Sequence, residues 1–465
     1  MQINPLMFDV IEIPVWCVWL AGILACIGLL DRILMPTVRW YLKRRLDRAV
    51  EVLNNKLDLK IQPFKLTKRR VLIDRLTNDP TVVQAILNHS AEENTPFAVS
   101  QHLAERYARE IVPAFSAAIY FKVAIRLARW ISTALYRVRL GYVDRKALQA
   151  LDKDATVIFV MNHRSNMDYV LVTYLAARRS ALAYAVGEWA RVWPLKPLIK
   201  SMGGYFIRRR SHSKLYRQVL ARYVQMATEA GVAQAVFPEG QLTRDGRLQP
   251  AKLGLLNYII SGFDPNGTRD VHFVPVGLNY DRVIEDRILI ASHRGERTKT
   301  VVKIREFFRF VGKYLWLRLR GRMYRFGYAS VSFGAPISLK EFIAGRPKSS
   351  HEASTKALGK VLMARVGEAV PVLPVSLIAR VFLTNTKAQL SIAQVHSKAK
   401  RELDRLLEAG AYMHVPRADF EYAVEVGLRM LVLRHAIRHE DDKYQLNPQH
   451  SDIISYYAQS IAHLA

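Results

Sequence analysis

The sequence predicts an α/β protein: a mixed β-sheet flanked by helices, with an N-terminal membrane helix and helical N- and C-terminal extensions. Three observations lead there. Between residues 140 and 340, short apolar runs rich in β-branched residues (TVIFVM, VAQAVFP, HFVPVGL, YASVSFG) alternate with helical periods such as SKLYRQVLARYVQMATEA. That order builds a sheet with helices on its faces. From about 350 onwards the periodicity is helical, in STKALGKVLMARVGEAV, SIAQVHSKAKRELDRLLEAG, DFEYAVEVGLRMLVLRHAIRH and SDIISYYAQSIAHLA. Near the start, Ile13 to Leu30 runs without a charge (IPVWCVWLAGILACIGLL).

Those eighteen uncharged residues would reach about 27 Å as a helix, close to the roughly 30 Å of a bilayer's hydrocarbon core. A buried or in-plane helix is the alternative. A cleaved leader fits poorly, because Met1 to Glu12 holds Asp9 and Glu12 and no Lys or Arg. Arg32, Arg39, Lys43, Arg44, Arg45 and Arg48 follow at once, against Asp31 and Asp47. Positive charge beside a span puts the remainder on the cytoplasmic side. The expected organisation is an anchor at 1–35, a helical membrane-associated region at 36–140, an α/β catalytic domain at 141–345 and a helical region at 346–465. Within the second region, TVVQAILNHSAEEN and FAVSQHLAERYAREI read as helices, with breaks at Asp79-Pro80 and Thr95-Pro96. Pro113 to Tyr136 is apolar but carries Lys122, Arg126 and Arg129. That trio argues for an amphipathic helix lying on a membrane or against the core rather than a second span.

The formal net charge is +29, which calls for a polyanionic partner: nucleic acid or an acidic membrane. No nucleic-acid signature accompanies it, and the apolar N-terminal stretch favours anionic membrane lipids. Phe307 to Tyr328 (FFRFVGKYLWLRLRGRMYRFGY) interleaves cations and aromatics in a way that suits lipid headgroups, or else packs as a basic helix on the sheet. Cys17 and Cys26 are the only cysteines, so a reducing compartment fits better than a disulfide framework.

The chemistry concentrates at NHRSNMD, where TVIFVM breaks into a turn and then a helix. His163 and Asp168 face one another across such a turn as a base and the carboxylate that orients it. A surface histidine at a helix start is the plainer account. MGGYFIRRR then delivers three arginines from a strand end. Arginine matches phosphate bidentately, although a strand sends successive residues to opposite faces, and a solvated cationic strand end competes. Lys214 lies just beyond. FPEGQLTRDGR sets Glu239 and Gly240 at the end of a third strand, where substrate-facing turns occur. Thr243, Arg244, Arg247 and Lys252 stand within reach of a phosphate, and a β-turn with Asp245-Gly246 at its tip is the alternative. Pro275 inside FVPVGLNYDR suggests an edge or bulge near a site.

The ordered series NHRSNMD, GGYFIRR, FPEG-x-x-TR and VPVGLNYDR resembles the four blocks of the glycerolipid acyltransferase family. The HRSxMDY and GxxFIRR forms look most like its glycerol-3-phosphate and dihydroxyacetone-phosphate branch. The similarity extends from about 100 to 465, through VSFGAPISL, VPVLPVSLIARVFL and YQLNPQHSDIISYYAQSIAHLA. The resemblance implies the glycerolipid acyltransferase fold and the transfer of an acyl group from acyl-CoA or acyl carrier protein to a phosphorylated glycerol acceptor at a membrane. It implies His163 as general base with Asp168 behind it and Arg164 at this branch's arginine. It implies Arg208 and Arg209 behind Gly203 as phosphate ligands, Glu239, Gly240, Thr243 and Arg244 as the acceptor block, and Pro275 on the donor side. One position departs: Leu242 stands where the third block usually has arginine. No His and carboxylate group has metal-ligand spacing, so neither a metal nor any cofactor beyond the acyl donor is expected.

Overall fold

The computed structural model describes residues 60–464 apart from 153, 177–180, 188–190, 192–194, 209–212, 297–308, most of 310–324 and 347–349, with 14–20 and a few single positions before 60. The chain divides into two compact units, Met1–Leu57 and Asp58–Ala465. Half of the expected span at Ile13–Leu30 lies outside the described residues, as does most of the aromatic and basic stretch at 307–328. Among the described residues, no helix is long and apolar enough to cross a membrane.

The larger unit is built on an eight-stranded sheet whose main path runs β1-β7-β6-β2-β5-β3-β4. The strands are β1 (Arg137–Val143), β2 (Thr156–Met161), β3 (Ala183–Gly187), β4 (Gly204–Ile207), β5 (Gln234–Val236), β6 (Val271–Tyr280), β7 (Tyr328–Phe333) and β8 (Ile337–Ser338). The sheet is mixed, as expected. β7 and β8 run antiparallel to β6, and the other pairings are parallel.

β2 explains why helices cover both faces. Val157, Phe159 and Met161 enter one core, while Ile158 and Val160 enter the other. A period of two splits a wholly apolar run between two layers. The first layer holds the C-terminal helices α10 (Pro374–Thr384), α12 (Phe420–Val432) and α13 (Ser451–Gln459). The second holds α2 (Pro80–Glu92), α3 (Phe97–Ile111), α6 (Lys214–Glu229) and α7 (Gly254–Ser261). The remaining helices named here are α1 (Arg69–Thr77), α4 (Ile125–Leu135), α5 (Met167–Ala176), α8 (Asp286–His293), α9 (His351–Ala369) and α11 (Ile392–Glu408).

Three features differ from the sequence expectation. RVRLGYV forms β1, an edge strand with Leu140 and Tyr142 exposed; its charged alternation concealed it. The C-terminal region is not purely helical, because β9 (Leu390–Ser391), β10 (Ile437–Glu440) and β11 (Lys443–Leu446) make a second, three-stranded sheet. Pro275 sits in an internal strand, opposite Val160, between the stretch of β6 that pairs with β8 and the stretch that pairs with β7. A residue without an N–H is tolerated where the partner strand changes.

Candidate active site

The turn after β2 is held by partners on three sides. Asn162 extends the strand ladder with its side chain, donating Nδ2 to the Leu278 carbonyl at 2.9 Å and accepting the Leu278 N–H at 2.7 Å. The Asp168 Oδ2 then gathers three donors: the backbone N–H of Arg164 at 2.7 Å, that of Ser165 at 3.0 Å and His163 Nδ1 at 2.9 Å. Its Oδ1 accepts the Tyr280 hydroxyl at 2.7 Å. Asp168 is fully buried and His163 is 2% exposed. A carboxylate with four donors is anchored, and it fixes the proton of the imidazole on Nδ1. The Nε2 lone pair is thereby left for a substrate proton.

A buried carboxylate on each flank steadies the same turn. Glu285 accepts the Ser165 hydroxyl at 2.7 Å and both N–H groups of Asn166 at 3.0 and 3.1 Å. Burial pushes its carboxyl up to about 7 against the pull of those bonds. Glu239 accepts the His163 N–H at 2.9 Å and the Gln249 N–H at 3.2 Å. Burial likewise pushes the Glu239 carboxyl up to about 7, and the His163 N–H is the strongest opposing influence. The segment 238–252 closes on itself through the Lys252 N–H and the Pro238 carbonyl at 2.8 Å. From inside that loop, the Thr243 N–H reaches the His163 carbonyl at 3.0 Å. Both backbone polar groups of His163 are therefore bound by the loop that follows β5.

His163 opens into a cleft of about 260 Å³ lined also by Tyr169, Arg208, Arg217, Phe237, Gly240 and Lys252, among others. Its imidazole lies against Phe237 at 4.3 Å between ring centroids and meets Tyr169 edge-on at 5.6 Å. Aromatic walls keep water from the base and lower the local dielectric.

Of the residues singled out in the sequence, His163, Arg208, Gly240 and Lys252 converge on this cleft, with Asp168 directly behind. Arg208 is not an open phosphate fork. Its Nε and Nη2 donate to the two oxygens of Glu110 in α3, at 2.9 and 2.7 Å. The Glu110 hydrogen bond leads in pushing its pKa up. Burial alone would raise the Glu110 carboxyl, but Arg208 and Arg191 together hold it below its ordinary value. Arg209 lies outside the described residues.

The other positions do different work. Arg164 does not face the cleft. It is buried and donates to the carbonyls of Gly246 and Ser460, the latter at 2.7 Å. Gly246 fits there with φ +86° because a side chain would collide with the Tyr456 carbonyl. Glu239 spends its carboxylate on backbone N–H groups rather than on a ligand, and the Thr243 hydroxyl donates within its own loop, to the Arg247 carbonyl at 2.8 Å. Lys214 is ion-paired with Glu92 at 2.9 Å, away from the cleft. Gly203 turns the chain into β4 against the Lys65 side chain, Arg244 is exposed, and Pro275 lies within the sheet; none of the three lines the cleft. Leu242 packs partly buried against the first core. Sequence reasoning missed Tyr280, Glu285, Glu110 and Arg217. Tyr280 alone had a local signal, at the end of the fourth block. Among the described residues, no group of three or more His, Cys, Asp or Glu could hold a metal.

A histidine, the carboxylate that anchors it and three cations thus meet at a small cleft at the end of a central strand. A family described as acyltransferase matches residues 142–279, and one described as the glycerol-3-phosphate acyltransferase C-terminal region matches 315–465. Over these two stretches the chain is similar to glycerol-3-phosphate acyltransferases. It is 26% identical over 422 residues to glycerol-3-phosphate acyltransferase of Pseudomonas syringae pv. tomato, covering 86% of this chain and 49% of that one. Against the protein of the same name from Haemophilus ducreyi the identity is 27% over 422 residues, covering 86% and 50%. The chain thus spans about half the length of these curated relatives. It is also similar, at 19% identity and a TM-score of 0.32, to the solved 1-acyl-sn-glycerophosphate (LPA) acyltransferase PlsC of Thermotoga maritima, over 54% of this chain and 77% of that one. A likeness that low carries no weight for function.

Proposed function

We propose that this chain transfers a fatty acyl group from an acyl thioester, acyl-CoA or acyl carrier protein, to a hydroxyl of glycerol-3-phosphate, yielding lysophosphatidic acid for phospholipid biosynthesis. The observation that carries the reading is the His163–Asp168 pair, 2.9 Å apart at the base of a cleft whose charged lining residues are all cations. His163 Nε2 takes the proton of the acceptor hydroxyl, and the oxygen forms a bond to the thioester carbonyl carbon. Asp168 stabilises the imidazolium so formed. Collapse of the tetrahedral adduct breaks the C–S bond, and the imidazolium returns its proton to the departing thiolate. The cleft, at about 260 Å³, lies just below the usual range for drug-sized ligands and suits a small acceptor better than one already bearing an acyl chain. Turnover by the purified chain with glycerol-3-phosphate, dihydroxyacetone phosphate and lysophosphatidate, each with acyl-CoA and acyl carrier protein, tests the assignment. Glycerol-3-phosphate is expected to give the highest kcat/KM, and preference for lysophosphatidate would refute it.

The reading includes work at the cytoplasmic face of an inner membrane rich in anionic lipid. Support comes from the helix at 117–135, whose π turn (Ile119–Ala124) runs into α4. Its inner face is Tyr120, Ala124, Ala128 and Ser132, all buried. Its outer face exposes Ile119, Val123, Leu127 and Trp130, with Lys122, Arg126 and Arg129 also exposed. Large apolar groups outward between cations are what an anionic interface receives. Trp130→Glu is expected to weaken binding to vesicles containing phosphatidylglycerol by about tenfold, roughly 1.4 kcal/mol. Unchanged partitioning in a sedimentation assay would remove this face from the account.

A further inference from the structure

We propose that Arg217, a residue outside all four sequence blocks, grips the phosphate of the acceptor together with Lys252. This rests on the reading of the cleft as an acyl-transfer site for a phosphorylated acceptor.

Among the described residues, three cations line the cleft (Arg208, Arg217 and Lys252) and no carboxylate does. They are not equivalent. Arg208 already gives two of its three nitrogens to Glu110. Arg217 and Lys252 have no acidic partner among the described residues. The contrast within α6 is informative. Lys214 is paired with Glu92, and Arg222 with Asp79 and Glu229. Arg217, on the same helix but facing the cleft, is left without one.

Two cations without counter-charge around one small cavity repel one another and draw anions toward it. A phosphate dianion between them removes the repulsion and adds charge-assisted hydrogen bonds. The Arg217 charge also reaches the far wall, where it opposes the upward push of burial on the Tyr258 hydroxyl of α7. Lys252 is delivered by the loop that clamps His163, with its side chain over Gly240. A phosphate held by Arg217 and Lys252 therefore sits in the same cleft as the base.

Steady-state kinetics on the full chain, varying glycerol-3-phosphate and acyl-CoA in turn, test the assignment. Arg217→Ala is expected to raise the KM for glycerol-3-phosphate at least tenfold, with kcat within threefold and the KM for acyl-CoA unchanged; Arg217→Lys falls between. Lys252→Ala shifts the same constant. An unaltered acceptor KM, or a rise confined to acyl-CoA, overturns the proposal; the second result would give Arg217 to the phosphates of the donor. A thermal-shift titration with inorganic phosphate reads the contact without turnover. Stabilisation of the wild type that Arg217→Ala loses supports the site, and equal stabilisation of both overturns it. Absence of turnover in the wild type, with phosphate binding intact, would instead refute the functional reading.

Discussion

Replacing His163 by alanine is expected to lower kcat by two to four orders of magnitude while leaving the fold intact. The rate loss is that of a positioned general base. The fold survives because Asp168 keeps three of its four donors: the N–H groups of Arg164 and Ser165 and the Tyr280 hydroxyl. No buried charge is left bare, so the usual penalty of removing one member of a buried pair does not arise. Asp168→Asn sharpens the test. The amide oxygen keeps the Oδ2 contacts to the two backbone N–H groups and to His163 Nδ1, and the amide NH₂ takes the place of the acceptor for the Tyr280 hydroxyl. His163 Nδ1 keeps an acceptor but loses the negative charge that stabilises the imidazolium formed when Nε2 takes a proton. A comparable loss of kcat with an unchanged circular dichroism spectrum is expected. Near-normal turnover in His163→Ala would sink the assignment of the base.

The second large effect is on stability, at Arg164. Its guanidinium is buried and bridges the Gly246 and Ser460 carbonyls. Truncation to alanine leaves two buried acceptors unsatisfied, at about 1–3 kcal/mol each. Arg164→Ala is therefore expected to cost about 2–5 kcal/mol in denaturant titration. Arg164→Lys should fall between, since an ammonium cannot reproduce the planar fork. A change below about 0.5 kcal/mol, the range of ordinary surface substitutions, would show that the bridge contributes little. Activity should fall with stability, because the backbone of Arg164 holds Asp168 as well.

How much of this was readable in advance follows from how local each feature is. TVIFVM announced β2 because a strand buried on both faces is apolar at every position. His163 and Asp168 were legible because five residues and one turn contain the whole interaction. The RVRLGYV edge strand was not, because charges alternate with its apolar residues and Leu140 and Tyr142 remain exposed. The third block misled for a different reason. Glu239 after an apolar strand looks like a substrate ligand, but its donors are the N–H groups of His163 and Gln249, and no spacing rule shows that a loop folds back on a turn 76 residues earlier. Arg208 lines the cleft, and its engagement by Glu110, 98 residues away, was invisible for the same reason. Arg217 carries no motif; only the contrast between paired and unpaired cations on one helix picks it out.

The reach of Arg164 to Ser460 spans 296 positions of sequence. On a ribosome adding about 5–20 residues per second, that separation is roughly 15–60 s of synthesis. For that interval the turn bearing the base exists without its far brace, and the last helix must emerge before the geometry is complete. The turn thus gains its full set of braces only after Ser460 has been synthesised.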